Sequence, residues 1–183
     1  AMDERISKII DDVIAVEKGY VNDPADSGGE TNWGITLKVA REAGYHGEMR
    51  AMPKALAKTI YYHTFVVAPG FDQVLPLSAE IAAELVEFGV NCGPGRAATC
   101  LQEALNDLND QGQLWPDIKE DGAIGPKTIS CLKIYLLARK AAGIIVMLRD
   151  LNSRQHHHYS QLVRRRPKDE RFFYGWVLNR VVY

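Results

Sequence analysis

Apolar residues recur at helical spacing along most of this chain, and that periodicity restricts its fold more than any other feature. From Asp3 the run DERISKIIDDVIAVEKGY places Ile6, Ile9, Ile10 and Val13 on one stripe, with Ile14 and Val16 at its edge. Pro53 opens PKALAKTIYYHTF, Ser78 is placed to cap SAEIAAELVEFGV, and Pro126 precedes a stretch through ISCLKIYLLARKAAGIIVMLRDL. Ala97, Leu101, Ala104, Leu105 and Leu108 mark a further amphipathic helix, and Asp121-Gly-Ala-Ile-Gly-Pro reads as a tight turn into the helix at Pro126. Alternation of strand type is confined to the vicinity of Thr31–Ile35, with Phe65–Val67 as a second short candidate. The pattern predicts a mostly α protein with at most a small β-hairpin near residues 30–36. At 183 residues and 46% hydrophobic, the chain can bury a core as one compact domain or two closely joined lobes. The loop from Asn109 to Gly125 is the candidate boundary, separating a region 1–110 from a helical region 111–183.

The first helix runs into EKGYVNDPADSGGETNWGIT, residues 17–36, which holds little that could build a core. Glu17 follows Val13 by four residues, so the spacing predicts a carboxylate pointing inward, with Gly19 ending the helix. Partial burial and the negative end of the helix dipole would both raise its pKa. A carboxyl group kept protonated in this way can donate a proton to a leaving oxygen. The alternative is a Glu that merely snorkels at a helix terminus. Gly28-Gly29 lets the backbone turn sharply and approach a ligand, and Thr36 is placed to cap the next helix. For Asn22 and Asp23 the plain alternative is capping of turns. Asn91, polar where the stripe of its helix closes, is a candidate for lining a cleft, or else a helix C-cap.

The same segment strongly resembles the signature of the glycoside hydrolase family 108 muramidases, which include phage endolysins. That signature reads Glu-x-Gly-Tyr, Asn-Asp, Asp-x-Gly-Gly-x-Thr and Gly-Ile-Thr. This chain supplies Glu17, Gly19, Tyr20, Asn22, Asp23, Asp26, Gly28, Gly29, Thr31, Gly34, Ile35 and Thr36. Lys18 stands where a second Gly is common. The resemblance implies a compact lysozyme-like helical fold and cleavage of the bond between N-acetylmuramic acid and N-acetylglucosamine, with Glu17 as catalytic acid. By analogy with the small phage lysozymes, Asp26 and Thr31 would position or activate the attacking water. Tyr20, Asn22, Asp23, Gly28, Gly29, Asn32, Trp33 and Asn91 are then the expected substrate-binding residues. FGVNCGPGRAATCLQEALNDLN with EDGAIGPKT resembles the family's C-terminal region, described as peptidoglycan-binding. RRRPKDERFFYGWVLNRVVY resembles its terminal helix, where Phe172, Phe173, Trp176, Val177 and Arg180 are spaced for core packing. A lytic transglycosylase using the same Glu, a non-catalytic wall-binding module and a chitinase are the other readings.

The net charge of −1 hides an asymmetry: residues 1–125 carry −10 and residues 126–183 carry +9. The basic end, with Arg164-Arg165-Arg166, would be drawn to an anionic envelope, or would pair with the acidic part. No nucleic-acid-binding motif accompanies it, so nucleic acid is not an expected partner. Cys92, Cys100 and Cys131 lack metal-ligand spacing and read as free, mostly buried thiols. His156-His157-His158 would point in different directions on a helix and chelate poorly, so neither a metal nor a cofactor is expected. No signal peptide is recognisable, and GIIVML at 143–148 is too short to span a bilayer, so stable membrane insertion is not expected. The expectation is a monomer made in the host cytoplasm that acts on the periplasmic wall once released. An export helix could be missing from a chain that begins Ala1-Met2.

Overall fold

The computed structural model describes residues 2–17, 19–24 and 29–181. The chain divides into two compact units, residues 1–68 and 69–183. Helices dominate, with seven α-helices and one three-stranded antiparallel sheet among the described residues.

In the first unit, α1 (Glu4–Val16) starts at Asp3, whose carboxylate accepts from the Arg5 N–H at 2.9 Å. Its buried residues are Ile6, Ile9, Ile10 and Ile14, while Val13 is half-buried. The stripe is thus centred on Ile14 rather than Val13. The helix stops at Val16, three residues before the Gly19 expected to end it, because Glu17 is already extended at φ −79, ψ 139. Then come β1 (Val21–Asn22), β2 (Glu30–Asn32), β3 (Ile35–Thr36) and α2 (Leu37–Glu42). The hairpin expected at 30–36 is therefore β2–β3, and β1 adds a third strand, with Val21 opposite Thr31 and Thr31 opposite Thr36. Thr36 caps α2 through the Val39 N–H at 3.2 Å. After a 3₁₀ turn at Met49–Ala51, α3 (Lys54–Tyr62) lays Ala57, Ile60 and Tyr61 on the α1 side of the core. Lys58 pairs with Asp11 across that contact at 3.0 Å. The strand expected at Phe65–Val67 is instead a π-helical turn, His63–Val67, continuing α3.

The second unit holds α4 (Ala79–Cys92), α5 (Pro94–Asp107), α6 (Pro126–Arg165) and α7 (Glu170–Arg180). Ser78 caps α4 by accepting from the Ile81 N–H at 3.2 Å. Leu85, Val86, Phe88, Leu101, Leu105, Leu132, Met147 and Leu151 fill the interior. The long loop before α6 is fastened down rather than free. Trp115 is buried and donates to the Leu105 carbonyl at 3.1 Å. Gln102 donates to the Ala123 carbonyl at 3.0 Å and accepts from the Gly122 N–H at 2.8 Å. The α7 aromatics do less core packing than expected. Phe172 is exposed, and Trp176 lies between Phe172 and Tyr159, with ring centroids 5.9 and 5.2 Å away. All three cysteines are free, and burial pushes each thiol up, Cys100 to about 11. Among the described residues no helix is long and apolar enough to cross a membrane.

Two features of this unit carry strain. Lys140 interrupts α6 at φ 53, ψ −137, a region in which only glycine is comfortable. The bend lets the Tyr135 hydroxyl donate to the Gly143 carbonyl at 2.6 Å. Replacing Lys140 by Gly relieves the backbone at some cost in unfolded-chain entropy. The expected net gain is about 1 kcal/mol, read as a higher urea midpoint. A lower midpoint would show that the Lys140 side chain itself holds the bend.

The second strained group is Glu84 on α4, which is buried with one carboxyl oxygen lacking a hydrogen bond. Burial first and the neighbouring Glu87 second push it up to about 8, opposed by a hydrogen bond with Asn152. The folded pKa lies above the ordinary value of 4.5, so the native state holds the proton more tightly. The associated stability is fully present below about 4.5 and is lost as pH rises through about 8. Glu84→Gln should therefore be more stable than wild type at pH 9, on the order of a few kcal/mol, with the advantage fading towards pH 4. Denaturant midpoints across that range give the answer.

Candidate active site

The site is built where the end of α1 meets the β2–β3 turn. Trp33 and Gly34 form a two-residue hairpin loop with φ of 55 and 80. Both angles are left-handed, as a loop of this length requires for strands of natural twist. Gly34 suits that conformation; Trp33 does not, and is held in it by its surroundings. Its indole N–H donates to the Met52 carbonyl at 2.9 Å, and its own carbonyl accepts from the Tyr61 hydroxyl at 2.8 Å. The preceding residue, Asn32, is buried and donates to the Met49 carbonyl at 2.7 Å. The turn is thus anchored to the 3₁₀ segment on one side and to α3 on the other.

Glu17 is exposed, so the inward carboxylate expected from its spacing is not what forms. The physical reason is the early end of α1. An extended residue leaves the helical screw, and the side chain is carried alongside the turn instead of into the core. There it lies close against Gly34. A Cβ built on Gly34 would stand 2.5 Å from the Tyr61 hydroxyl and 2.8 and 2.9 Å from Cγ and Cδ of Glu17. Tyr61 is buried, and burial first, then the Glu17 charge, push its phenol up to about 12. It therefore remains a neutral hydrogen-bond donor throughout the working pH range. The result is a solvent-facing carboxyl group flanked by a glycine backbone and the tip of a phenol.

The other expected residues fall in several places. Thr31 is half-buried in the middle of the sheet, on the same face as its partners Val21 and Thr36. Asn22 and Asp23 are exposed at the end of β1, and Gly29 takes φ 68 just before β2. Tyr20 donates to Glu30 Oε1 at 2.6 Å while the Arg50 guanidinium lies 4.7 Å from its ring centroid. That hydrogen bond is the leading cause of a raised Tyr20 phenol. Tyr20, Glu30, Arg41, His46 and Arg50 line an open hollow of about 460 Å³. Asn91 lies in the second unit, half-buried on the last turn of α4. Asp26 and Gly28 lie outside the described residues. Among the described residues no cluster of His, Cys, Asp or Glu is placed to hold a metal. Sequence reasoning missed Tyr61, Glu30 and Arg50. Tyr61 reads there only as part of the helical run PKALAKTIYYHTF.

Residues 10–93 match a family model described as glycosyl hydrolase 108, and residues 96–181 match one described as a predicted peptidoglycan domain. The N-terminal part of the chain, residues 10–93, is similar to glycosyl hydrolase family 108. In fold the chain is similar to SagA of Brucella abortus, at a TM-score of 0.65 and 24% identity, over 93% of this chain and 86% of that one. A search of curated proteins returned no match. Glycosyl hydrolase 108 and peptidoglycan regions on one chain make it a peptidoglycan-degrading hydrolase. All of the surroundings of Glu17 described above fall within the hydrolase region.

Gly34→Ala tests the close approach at the centre of this site. The added methyl must displace both the Tyr61 hydroxyl and the Glu17 side chain, and alanine at φ 80 is strained as well. The expected outcome is a loss of about 1–3 kcal/mol of stability together with a fall in glycan cleavage larger than the unfolded fraction explains. Thermal melts and reducing-sugar assays on the same sample separate the two effects.

Proposed function

We propose that this protein is an N-acetylmuramidase of the endolysin type, which hydrolyses the β-1,4 bond between N-acetylmuramic acid and N-acetylglucosamine. Glu17 acts as the general acid. The observation that carries this reading is the exposed Glu17 carboxyl at the end of α1, walled by Gly34 and Tyr61. An acid must reach the glycosidic oxygen directly, which an inward-pointing carboxylate could not do. Tyr61 and the α1 terminus limit where that carboxyl can sit, which is the positional control that proton transfer needs. Asp26 and Thr31 are assigned to holding or activating the water that completes hydrolysis. Asn22, Asp23 and the glycines of the loop are assigned to the sugar backbone. The residues of the predicted peptidoglycan domain retain the enzyme on the polymer. The place of action is the cell wall after release from the cytoplasm in which the protein is made.

The deciding experiment is reducing-end release from purified peptidoglycan by wild type and Glu17→Gln. The substitution preserves shape and removes the acid. A folded variant that loses on the order of a hundredfold or more supports the assignment. Equal cleavage by both proteins transfers the role to another carboxylate. Mass spectrometry of the wild-type products decides the reaction type. Addition of water to each cleaved bond is expected, and anhydromuramic ends would replace hydrolysis with transglycosylation.

A further inference from the structure

In the second unit, a hollow of about 360 Å³ occupies the groove between α5 and the C-terminal part of α6. Arg96, Cys100 and Glu103 recur on α5 at i, i+4 and i+7, and form one wall. On α6 the opposite wall runs from Arg154 through His157 and His158 to Arg165, again at helical spacing. Among the described residues no Trp, Tyr or Phe lines the groove, so these offer no broad aromatic platform for a sugar face.

Its charges do not cancel. Glu103 is the acid among the lining residues, and it is tied to Arg154 at 2.9 Å. Arg154 is itself committed further, to Asp107 at 2.6 Å and Asp150 at 3.2 Å. That leaves Arg96 and Arg165, both exposed and neither with an acidic partner among the described residues. His158, between them, records the imbalance. Burial first, then Arg96, Arg165 and His157, hold its imidazole below the ordinary histidine value. Cys100 in the α5 wall adds nothing negative, because burial keeps its thiol protonated, pushed up to about 11. Two guanidinium groups, each able to grip a carboxylate with a pair of parallel N–H bonds, thus face a concave surface without an acidic side chain engaging them.

We propose that this groove receives the peptide stem of peptidoglycan, with Arg96 and Arg165 binding its free carboxylates and the His157 and His158 edges donating to the peptide backbone. The proposal deepens the assignment of residues 96–181 to a peptidoglycan domain and rests on it. It divides recognition of the polymer by chemistry, with the acidic peptide read in this groove and the neutral sugars elsewhere.

The test is calorimetric binding of a synthetic stem tripeptide with free carboxylates to the whole protein. The imidazole resonances of His157 and His158 are followed in parallel. Wild type should bind the peptide and shift both resonances, and affinity should fall with added salt. Arg96→Gln with Arg165→Gln should weaken binding roughly tenfold or more, and so should amidation of the peptide carboxylates. Both arginines are exposed, and melting curves verify that the double variant stays folded. Equal affinity for the two proteins, or for the amidated peptide, overturns the proposal. So does binding of inorganic phosphate at these residues without binding of the peptide, which would mark a general anion site. Whole sacculi separate this result from the underlying reading. Sacculi bound without peptide binding would remove the groove and leave a peptidoglycan domain standing. If neither is bound, both readings fail.

Discussion

Gly34 has no side chain, and the space its Cβ would fill holds the Tyr61 hydroxyl and the carboxyl end of Glu17. That close approach ties together three elements far apart in the chain: the end of α1, the β2–β3 turn and the end of α3. Each tie is locally reinforced. Tyr61 holds the Trp33 carbonyl, Trp33 holds Met52, and Asn32 holds Met49. The sheet is only three short strands, and so small a sheet is marginal by itself. It persists because its turn is bolted to helices by hydrogen bonds in partly or fully buried surroundings, where a lost partner costs more than a bond at the surface would. The geometry of the proposed site and its local stability therefore depend on the same few contacts. Asn32 and Trp33 serve the site by supporting the backbone next to Glu17.

The second unit is organised by a different constraint, the satisfaction of polar groups among packed helices. Gln102 uses both ends of its amide to pin the loop at Gly122 and Ala123, so the loop arrives at Pro126 in register for α6. Trp115 fills space against Tyr135, at 5.9 Å between ring centroids, and spends its N–H on Leu105. Among the described residues, two buried oxygens, on Glu84 and Gln155, are left without partners. Both lie in the unit's interior, where such a deficit is felt most. Glu84 answers it by holding a proton, the usual response of a carboxyl group that burial deprives of water and of a counter-ion.

What could be read from the sequence was whatever depends on neighbours in the chain. Thr36 and Ser78 cap helices through side chains acting three residues away, and Pro126 starts one because its missing N–H costs nothing there. Such features survive any change in the rest of the protein. The stripe of α1 was legible too, but its centre moved from Val13 to Ile14, and Glu17 lies at the surface because the helix has already ended before it. Periodicity cannot resolve such a rotation when isoleucine and valine occupy both candidate faces. The Phe65–Val67 run failed for a related reason, since a short apolar run fits a strand or the end of a helix equally well. Tyr61 was invisible because its partner is a main-chain carbonyl 28 residues away, which any residue type could supply. The break at Lys140 has no Pro or Gly to announce it, as packing around Tyr135 and Gly143 accompanies a conformation that lysine does not prefer.

The charge asymmetry takes a definite form once the helices are placed. Part of the basic C-terminal excess is consumed at Arg154, which gathers Glu103 and Asp107 from α5 and Asp150 from its own helix. Such a network of one cation and three acids has negative charge to spare. It sits beside Arg96 and Arg165, which have none, so the two signs are adjacent yet not cancelled. Pairing Arg96 or Arg165 with one of those acids would need the carboxylate to leave a bidentate-capable guanidinium already in contact, for an exposed ion pair worth little. The network therefore does more than staple α5 to α6. By engaging the acids locally, it keeps the neighbouring arginines uncommitted. A sequence count of +9 says nothing about which cations remain available, whereas the helix positions of Glu103, Asp107 and Asp150 decide it.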